Sequence, residues 1–65
     1  MSAADVKLII RAPKELLPDA ARAAVFAINT SDFSHGYAVI SRGENLYAIR
    51  KTKGGFSLFY QGDGQ

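Results

Sequence analysis

The sequence contains no cysteine, so it can form no disulfide, thiolate zinc site or thiol redox motif. It has one histidine, and its scattered carboxylates lack the spacing of metal ligands. No apolar run approaches the roughly 20 residues of a membrane helix, and no signal-peptide pattern begins the chain. We therefore expect a cytoplasmic protein that uses no metal, no cofactor and no membrane.

Length and composition predict one small globular domain. The chain has 65 residues, of which 48% are hydrophobic and 22% are charged. A chain of this length buries only about 60% of its unfolded surface, so the core is thin. The domain is expected to span residues 1–65, with loose tails at residues 1–5 and 61–65. The net charge of +2 is too small to establish a polyanion partner by itself.

The hydrophobic periodicity predicts an α+β fold with the element order β-α-β-β-β. Strands are expected at residues 6–11, 37–41, 46–52 and 56–60, with one helix at residues 18–29. This helix should pack on a mainly antiparallel sheet of four strands. The first strand is almost continuously apolar, which favours a central position in the sheet or burial on both faces.

The helix begins with Pro18 and Asp19, which suit a first turn, and it is rich in alanine. Helical spacing places Leu17 and Val25 on an apolar stripe with Ala21, Ala24 and Ile28. Asp19, Arg22 and Asn29 fall on the opposite side, with Phe26 beside them. The many alanines imply a close approach between helix and sheet. The expected core is Leu8, Ile10, Ala21, Ala24, Val25, Ile28, Ile40, Ile49 and Leu58.

A hairpin that closes on Gly43 and Glu44 should pair Ile40 with Tyr47 and Ala38 with Ile49. The other side of this hairpin is then also apolar, and it carries Tyr37, Val39, Leu46, Ala48 and Arg50. One helix can cover one face only, so the second face is expected to be exposed or covered by a partner, a homodimer included. The next turn, at Lys53-Gly54-Gly55, can have two or three residues, and the register of the last strand depends on which.

The segment Asp32-Phe33-Ser34-His35 brings a carboxylate, a hydroxyl and an imidazole into one loop. Catalysis would need a nucleophile, a base and an oxyanion site that converge in space, and neighbours in sequence seldom do so. A network that caps the loop is the alternative. We therefore predict no catalytic residues and no enzymatic activity.

Two groups of residues are candidates for binding a partner. The first is a basic hairpin with aromatic side chains near its cations, and single-strand recognition requires both kinds of side chain. Its candidate residues are Arg42, Tyr47, Arg50, Lys51, Lys53, Phe59 and Tyr60. The alternative for these cations is that they solvate a sheet edge. The second group is Arg22 with Phe26, a typical pair of interface anchors. The alternative for Phe26 is that it packs against the loop that holds Phe33.

Several parts of the sequence carry a resemblance to a known family: the helix, the Ser34-His35-Gly36 segment, and the two short runs Leu46-Tyr47-Ala48-Ile49 and Phe56-Ser57-Leu58-Phe59. In their order along the chain they resemble small phage-encoded anti-CRISPR proteins directed at type I surveillance complexes. The resemblance covers residues 6–60 as element order and shares no diagnostic motif. It implies stoichiometric binding to a bacterial defence complex, which blocks nucleic-acid access or nuclease recruitment.

Together these features predict a small non-enzymatic protein-binding module. The alternative is a nucleic-acid-binding protein that uses the basic, aromatic-flanked hairpin at residues 42–60.

Overall fold

The computed structural model describes residues 7–62. Strand β1 (Lys7–Arg11) leads through a short 3₁₀ helix (Lys14–Leu16) into helix α1 (Leu17–Thr30). Strands β2 (Tyr37–Arg42), β3 (Asn45–Thr52) and β4 (Gly55–Gly62) follow. The predicted α+β fold and element order are thereby confirmed. The tail predicted at residues 1–5 lies outside the described residues, as do residues 63–65 of the second tail, whereas Gln61 and Gly62 belong to β4.

The sheet has the strand order β1-β4-β3-β2, with β1 parallel to β4 and the other pairs antiparallel. The central position expected for the first strand is therefore wrong, because β1 is an edge strand. Its apolar residues Leu8 and Ile9 are exposed, and Ile10 is half-buried. The inner positions go to β3 and β4, since the meander β2-β3-β4 runs back across the sheet toward β1. Apolar runs alone do not distinguish an inner strand from an edge strand.

The first hairpin has the predicted register. Arg42 pairs with Asn45 around a two-residue turn, which places Ile40 opposite Tyr47 and Ala38 opposite Ile49. Gly43 in this turn has φ +57°, as the first central position of a type II′ turn requires. The second turn also has two residues, because Thr52 pairs with Gly55. This settles the register of the last strand.

Gly55 marks the closest approach between β1 and β4. A Cβ built on this residue would overlap the backbone carbonyl of Lys7, its pairing partner. The backbone amide of Lys7 donates in turn to the carbonyl of Gly54 at 3.1 Å. Glycine at position 55 therefore allows the first strand to join the meander.

The core lies between α1 and one face of the sheet. Four alanines of the helix pack against large side chains of the three-stranded meander. The buried hydrophobic residues are Ala20, Ala23, Ala24, Ala27, Ile40, Tyr47, Ile49 and Leu58. The close approach predicted from the alanines is present. Of the expected core, Ile10 and Ile28 are half-buried and pack at its border.

The predicted orientation of the helix is wrong. Val25 and Leu17, placed on the buried stripe, are 56% and 41% exposed, and Leu8 on β1 is also exposed. The buried alanines define a stripe turned by about 90° from the predicted one, at about 100° per residue. Small side chains let the helix backbone approach Tyr47 and Ile49 closely, whereas Val25 in the same place would hold it away. Fit to the sheet therefore outweighs side-chain hydrophobicity here.

Among residues 7–62, no helix combines the length and apolar character needed to cross a membrane.

We expect Ile49→Ala to lower the free energy of unfolding by roughly 2–5 kcal/mol, because the side chain is fully buried on an inner strand. Val25→Ala removes an exposed side chain and should change stability by less than about 0.5 kcal/mol. Denaturant unfolding of both variants measures these values. A Val25→Ala variant as unstable as Ile49→Ala would contradict the observed rotation of the helix.

Candidate binding surfaces

One face of the sheet is not covered by any element within the described part of the chain. Side chains alternate along each strand, so the residues between the core positions point to this second face. We call it the open face. It is formed by Lys7, Ile9 and Arg11 of β1, Ser57 and Phe59 of β4, Leu46, Ala48 and Arg50 of β3, and Tyr37, Val39 and Ser41 of β2.

The most exposed large apolar residues of the open face lie on its two edge strands, β1 and β2. Ile9 is 44% exposed, and Tyr37 and Val39 are each 55% exposed. On the open face, the inner strands carry the small side chains of Ser57 and Ala48 together with the half-buried Leu46 and Phe59. A depression of about 450 Å³ lies at its β2–β3 side and is lined by His35, Gly36, Tyr37, Ala48, Arg50 and Lys51.

The charges of the open face have one sign. Lys7 and Arg11 lie on β1 and Arg50 on β3, and all three are exposed. Across residues 7–62 the strands carry no aspartate or glutamate; the carboxylates lie in the helices, the loop and the first turn, at Glu15, Asp19, Asp32 and Glu44. Arg50 is the direct cross-strand neighbour of Tyr37. The open face therefore combines exposed apolar and aromatic area with positive charge.

On the covered side, Asp19 ties the start of α1 to the sheet. Its Oδ2 accepts a hydrogen bond of 2.7 Å from the Tyr47 hydroxyl. Its Oδ1 accepts one of 2.9 Å from Arg42 Nε, which is also an ion pair. Asp19 was expected on the side of the helix away from the sheet, which is wrong. It faces the sheet and holds two of the residues proposed for partner binding.

This contact changes the ionisation of both partners. The hydrogen bond from Arg42 is the main cause that holds the pKa of the Asp19 carboxyl below its usual range, and the hydrogen bond from Tyr47 is the second. Burial raises the pKa of Tyr47 to about 12, and the hydrogen bond to Asp19 adds to the rise. Because the pKa of Tyr47 in the folded state is above the ordinary value of about 10, the protonated phenol contributes to the free energy of unfolding. This contribution is fully present below about pH 10. That contribution is lost as the pH rises through 12.

The basic hairpin does not form one surface. Tyr47 is fully buried and Tyr60 half-buried on the helix side, where their rings lie 5.8 Å apart between centroids. Lys51 also falls on the helix side, opposite Phe56, and Lys53 lies in the second turn. Arg50 and Phe59 are the two residues of the hairpin set that share the open face.

Arg22 and Phe26 lie on the outer surface of α1. Phe26 is 54% exposed and borders a depression of about 540 Å³ with Ala21, Arg22, Val25, Asn29 and Thr30. The loop aromatic Phe33 instead packs on Phe56, with ring centroids 5.1 Å apart. Phe26 is therefore an exposed residue of a second candidate surface.

The loop at residues 32–35 shows a capping contact. Asp32 Oδ1 accepts the backbone N–H of Ser34 at 3.0 Å, an Asx-turn geometry, and Phe33 adopts a positive φ of 52°. The backbone N–H of Gly36 donates to the carbonyl of Phe33. The carboxylate of Asp32 thus shapes the turn that delivers the chain into β2.

Several residues of the open face were missing from the sequence-based site: Lys7, Ile9, Arg11, Tyr37 and Val39. Alternation along the first hairpin had placed Tyr37 and Val39 on a face without a helix, which was a usable signal. The contribution of β1 had no such signal, because its place beside β4 depends on a pairing between distant segments.

Comparisons with protein-family models, with curated proteins and with solved structures find no match for this chain.

We expect one of the three tyrosines to ionise at about pH 12 in an absorbance titration, and Tyr47→Phe to remove this component. Asp19→Asn should shift the component to lower pH, since the acceptor charge that opposes tyrosinate is lost. Tyr37→Phe is the matched control and should retain it, because Tyr37 is exposed. If the component survives in Tyr47→Phe, the buried contact is not formed in solution.

Proposed function

We propose that this chain is a non-enzymatic protein-binding module that docks on its partner through the open face. The observation that carries the proposal is the exposed apolar area of Ile9, Tyr37 and Val39 on a sheet face that no described element covers. Exposed apolar area of this kind, rimmed by charged residues, is typical of protein interaction sites.

The positive charge of the open face indicates which kind of protein surface could bind it. Lys7, Arg11 and Arg50 surround the apolar area without a carboxylate on the neighbouring strand positions. A complementary surface would be acidic at its rim and apolar at its centre. Tyr37 and Arg50 are of the residue types that most often dominate binding energy, and they are cross-strand neighbours. This pair is the expected anchor of the interface.

The resemblance to type I anti-CRISPR proteins supplies a specific candidate partner within this proposal. A type I surveillance complex would be bound stoichiometrically, and the bound domain would block nucleic-acid access or nuclease recruitment. A cytoplasmic location belongs to the same proposal, because such complexes act on nucleic acid inside the cell.

We expect Arg50→Glu to weaken binding to a purified type I surveillance complex by roughly tenfold or more, the effect of losing an interface anchor. Tyr37→Ala should weaken it mainly through faster dissociation, because aromatic contact area governs the lifetime of a complex. Biolayer interferometry measures both rates.

Lys14→Glu is the matched control, since it makes the same change of charge at an exposed position on the 3₁₀ helix. It should leave the dissociation rate unchanged. Equal weakening by Lys14→Glu and Arg50→Glu would contradict the open face as the interface and leave only an effect of net charge. Normal binding by Arg50→Glu together with loss in Phe26→Ala would move the site to the outer surface of α1.

Single-stranded nucleic acid is a second candidate partner, favoured by the exposed ring of Tyr37 beside Arg50 and by Phe59 beside Arg11. Aromatic rings stack on bases while arginines contact phosphates, and both are needed for this mode of binding. The same open face would be used, so the two candidates are distinguished by the response to salt.

If Lys7, Arg11 and Arg50 each neutralise one phosphate, the logarithm of the association constant for a labelled oligothymidylate should fall with the logarithm of salt concentration at a slope of about −2. Arg50→Ala should reduce the slope by about 0.7. Fluorescence anisotropy over a salt series measures this. A slope that is the same in wild type and Arg50→Ala would exclude this mode of binding.

A further inference from the structure

The outer edge of β2 exposes backbone groups whose identity follows from the hydrogen-bonding register. The backbone N–H of Lys51 donates to the carbonyl of Gly36 at 3.0 Å. In an antiparallel ladder, hydrogen-bonded pairs alternate with pairs that are not bonded, so Ala38–Ile49 and Ile40–Tyr47 are bonded pairs. The N–H and C=O groups of the intervening residues, Tyr37, Val39 and Ser41, therefore point away from β3. No strand within residues 7–62 pairs with them.

This edge lacks the devices by which proteins usually prevent strand pairing. Strand β2 contains no proline and has no register irregularity with β3, and its one charged residue, Arg42 at its end, is paired with Asp19. The other edge strand, β1, has Lys7 and Arg11 at its two ends. Charges, prolines and bulges are the common means of blunting an edge, so β2 is the edge suited to accept another strand.

We propose that the strand that pairs with β2 is β2 of a second copy of this chain, in an antiparallel two-fold arrangement centred on Val39. In this register Val39 lies opposite Val39 of the second copy, and Tyr37 lies opposite Ser41 of the second copy. Each of these residues directs its backbone groups outward, so every opposed pair exchanges two hydrogen bonds. All the unpaired N–H and C=O groups of Tyr37, Val39 and Ser41 are satisfied.

The side chains also match in this register. No charged residue of one strand lies opposite a like charge of the other over residues 37–41. Val39 gains a β-branched neighbour on the open face, and Ala38 meets Ile40 of the second copy on the helix side. The two sheets become one continuous sheet, and the two open faces join into a surface that carries two Tyr37–Arg50 pairs. This proposal does not rest on the partner proposed above.

Analytical ultracentrifugation over a wide concentration range tests the pairing. The wild-type protein should pass from 7.0 kDa to twice that mass as its concentration rises. In hydrogen exchange followed by NMR, the amides of Tyr37, Val39 and Ser41 should become protected only at concentrations where the dimer forms. The amides of Ala38 and Ile40 should be protected at all concentrations. A dimer that leaves Tyr37, Val39 and Ser41 unprotected would overturn the proposal, as would a monomer throughout.

Val39→Pro removes the central outward N–H and, on an edge strand, costs no bond within the sheet. It should weaken dimerisation by roughly tenfold or more, since two hydrogen bonds of the two-fold pair are lost. Ile9→Lys is the control: it places a charge on the open face but on the opposite edge, and it should dimerise like the wild type. If Ile9→Lys prevents dimerisation and Val39→Pro does not, the copies pair through stacked open faces and the proposal is wrong.

Discussion

The hydrogen bonds that Asp19 accepts from Tyr47 and Arg42 fix how the single helix lies on the sheet. They attach the first turn of α1 to the β2–β3 hairpin and turn the alanines of the helix inward. The charge on Asp19 also lies near the helix N-terminus, where the helix dipole favours it. A partly buried carboxylate with a charged partner and a phenol donor is satisfied at both oxygens. This contact acts together with the close approach of the buried alanines, and the rest of the architecture follows from the rotation of the helix that the two give.

Because the inward stripe is made of alanine, the helix approaches the sheet closely and covers one face of the meander. The larger residues Val25 and Phe26 are left on the outer surface of α1. Within residues 7–62, one α-helix packs on four strands, so the other sheet face is left open. The open face and the free edge of β2 are therefore both consequences of a sheet that one helix covers on one side. They are also the places where another molecule can add to the fold.

The parts of the structure that were predictable from the sequence are those set by short-range rules. The turn at Gly43-Glu44 fixed the pairing of Ile40 with Tyr47, because a two-residue turn leaves one register. The alanine-rich segment indicated a helix that lies close to the sheet. By contrast, the apolar run in β1 indicated a central strand and proved to be an edge. Pairing of β1 with β4 joins segments nearly fifty residues apart, for which no local pattern exists.

The same distinction applies to the binding residues. The sequence by itself determined the alternating hairpins, the basic character of the second half of the chain, and the expectation of one sheet face with no helix to cover it. Only the tertiary structure decided that Arg42 and Tyr47 are held by Asp19, and that Arg50 and Phe59 share a face with Ile9, Tyr37 and Val39. Alternation along a strand sorts its residues into two faces. Which face the helix covers depends on how side chains of distant segments fit together, and that fit is a property of the packed chain.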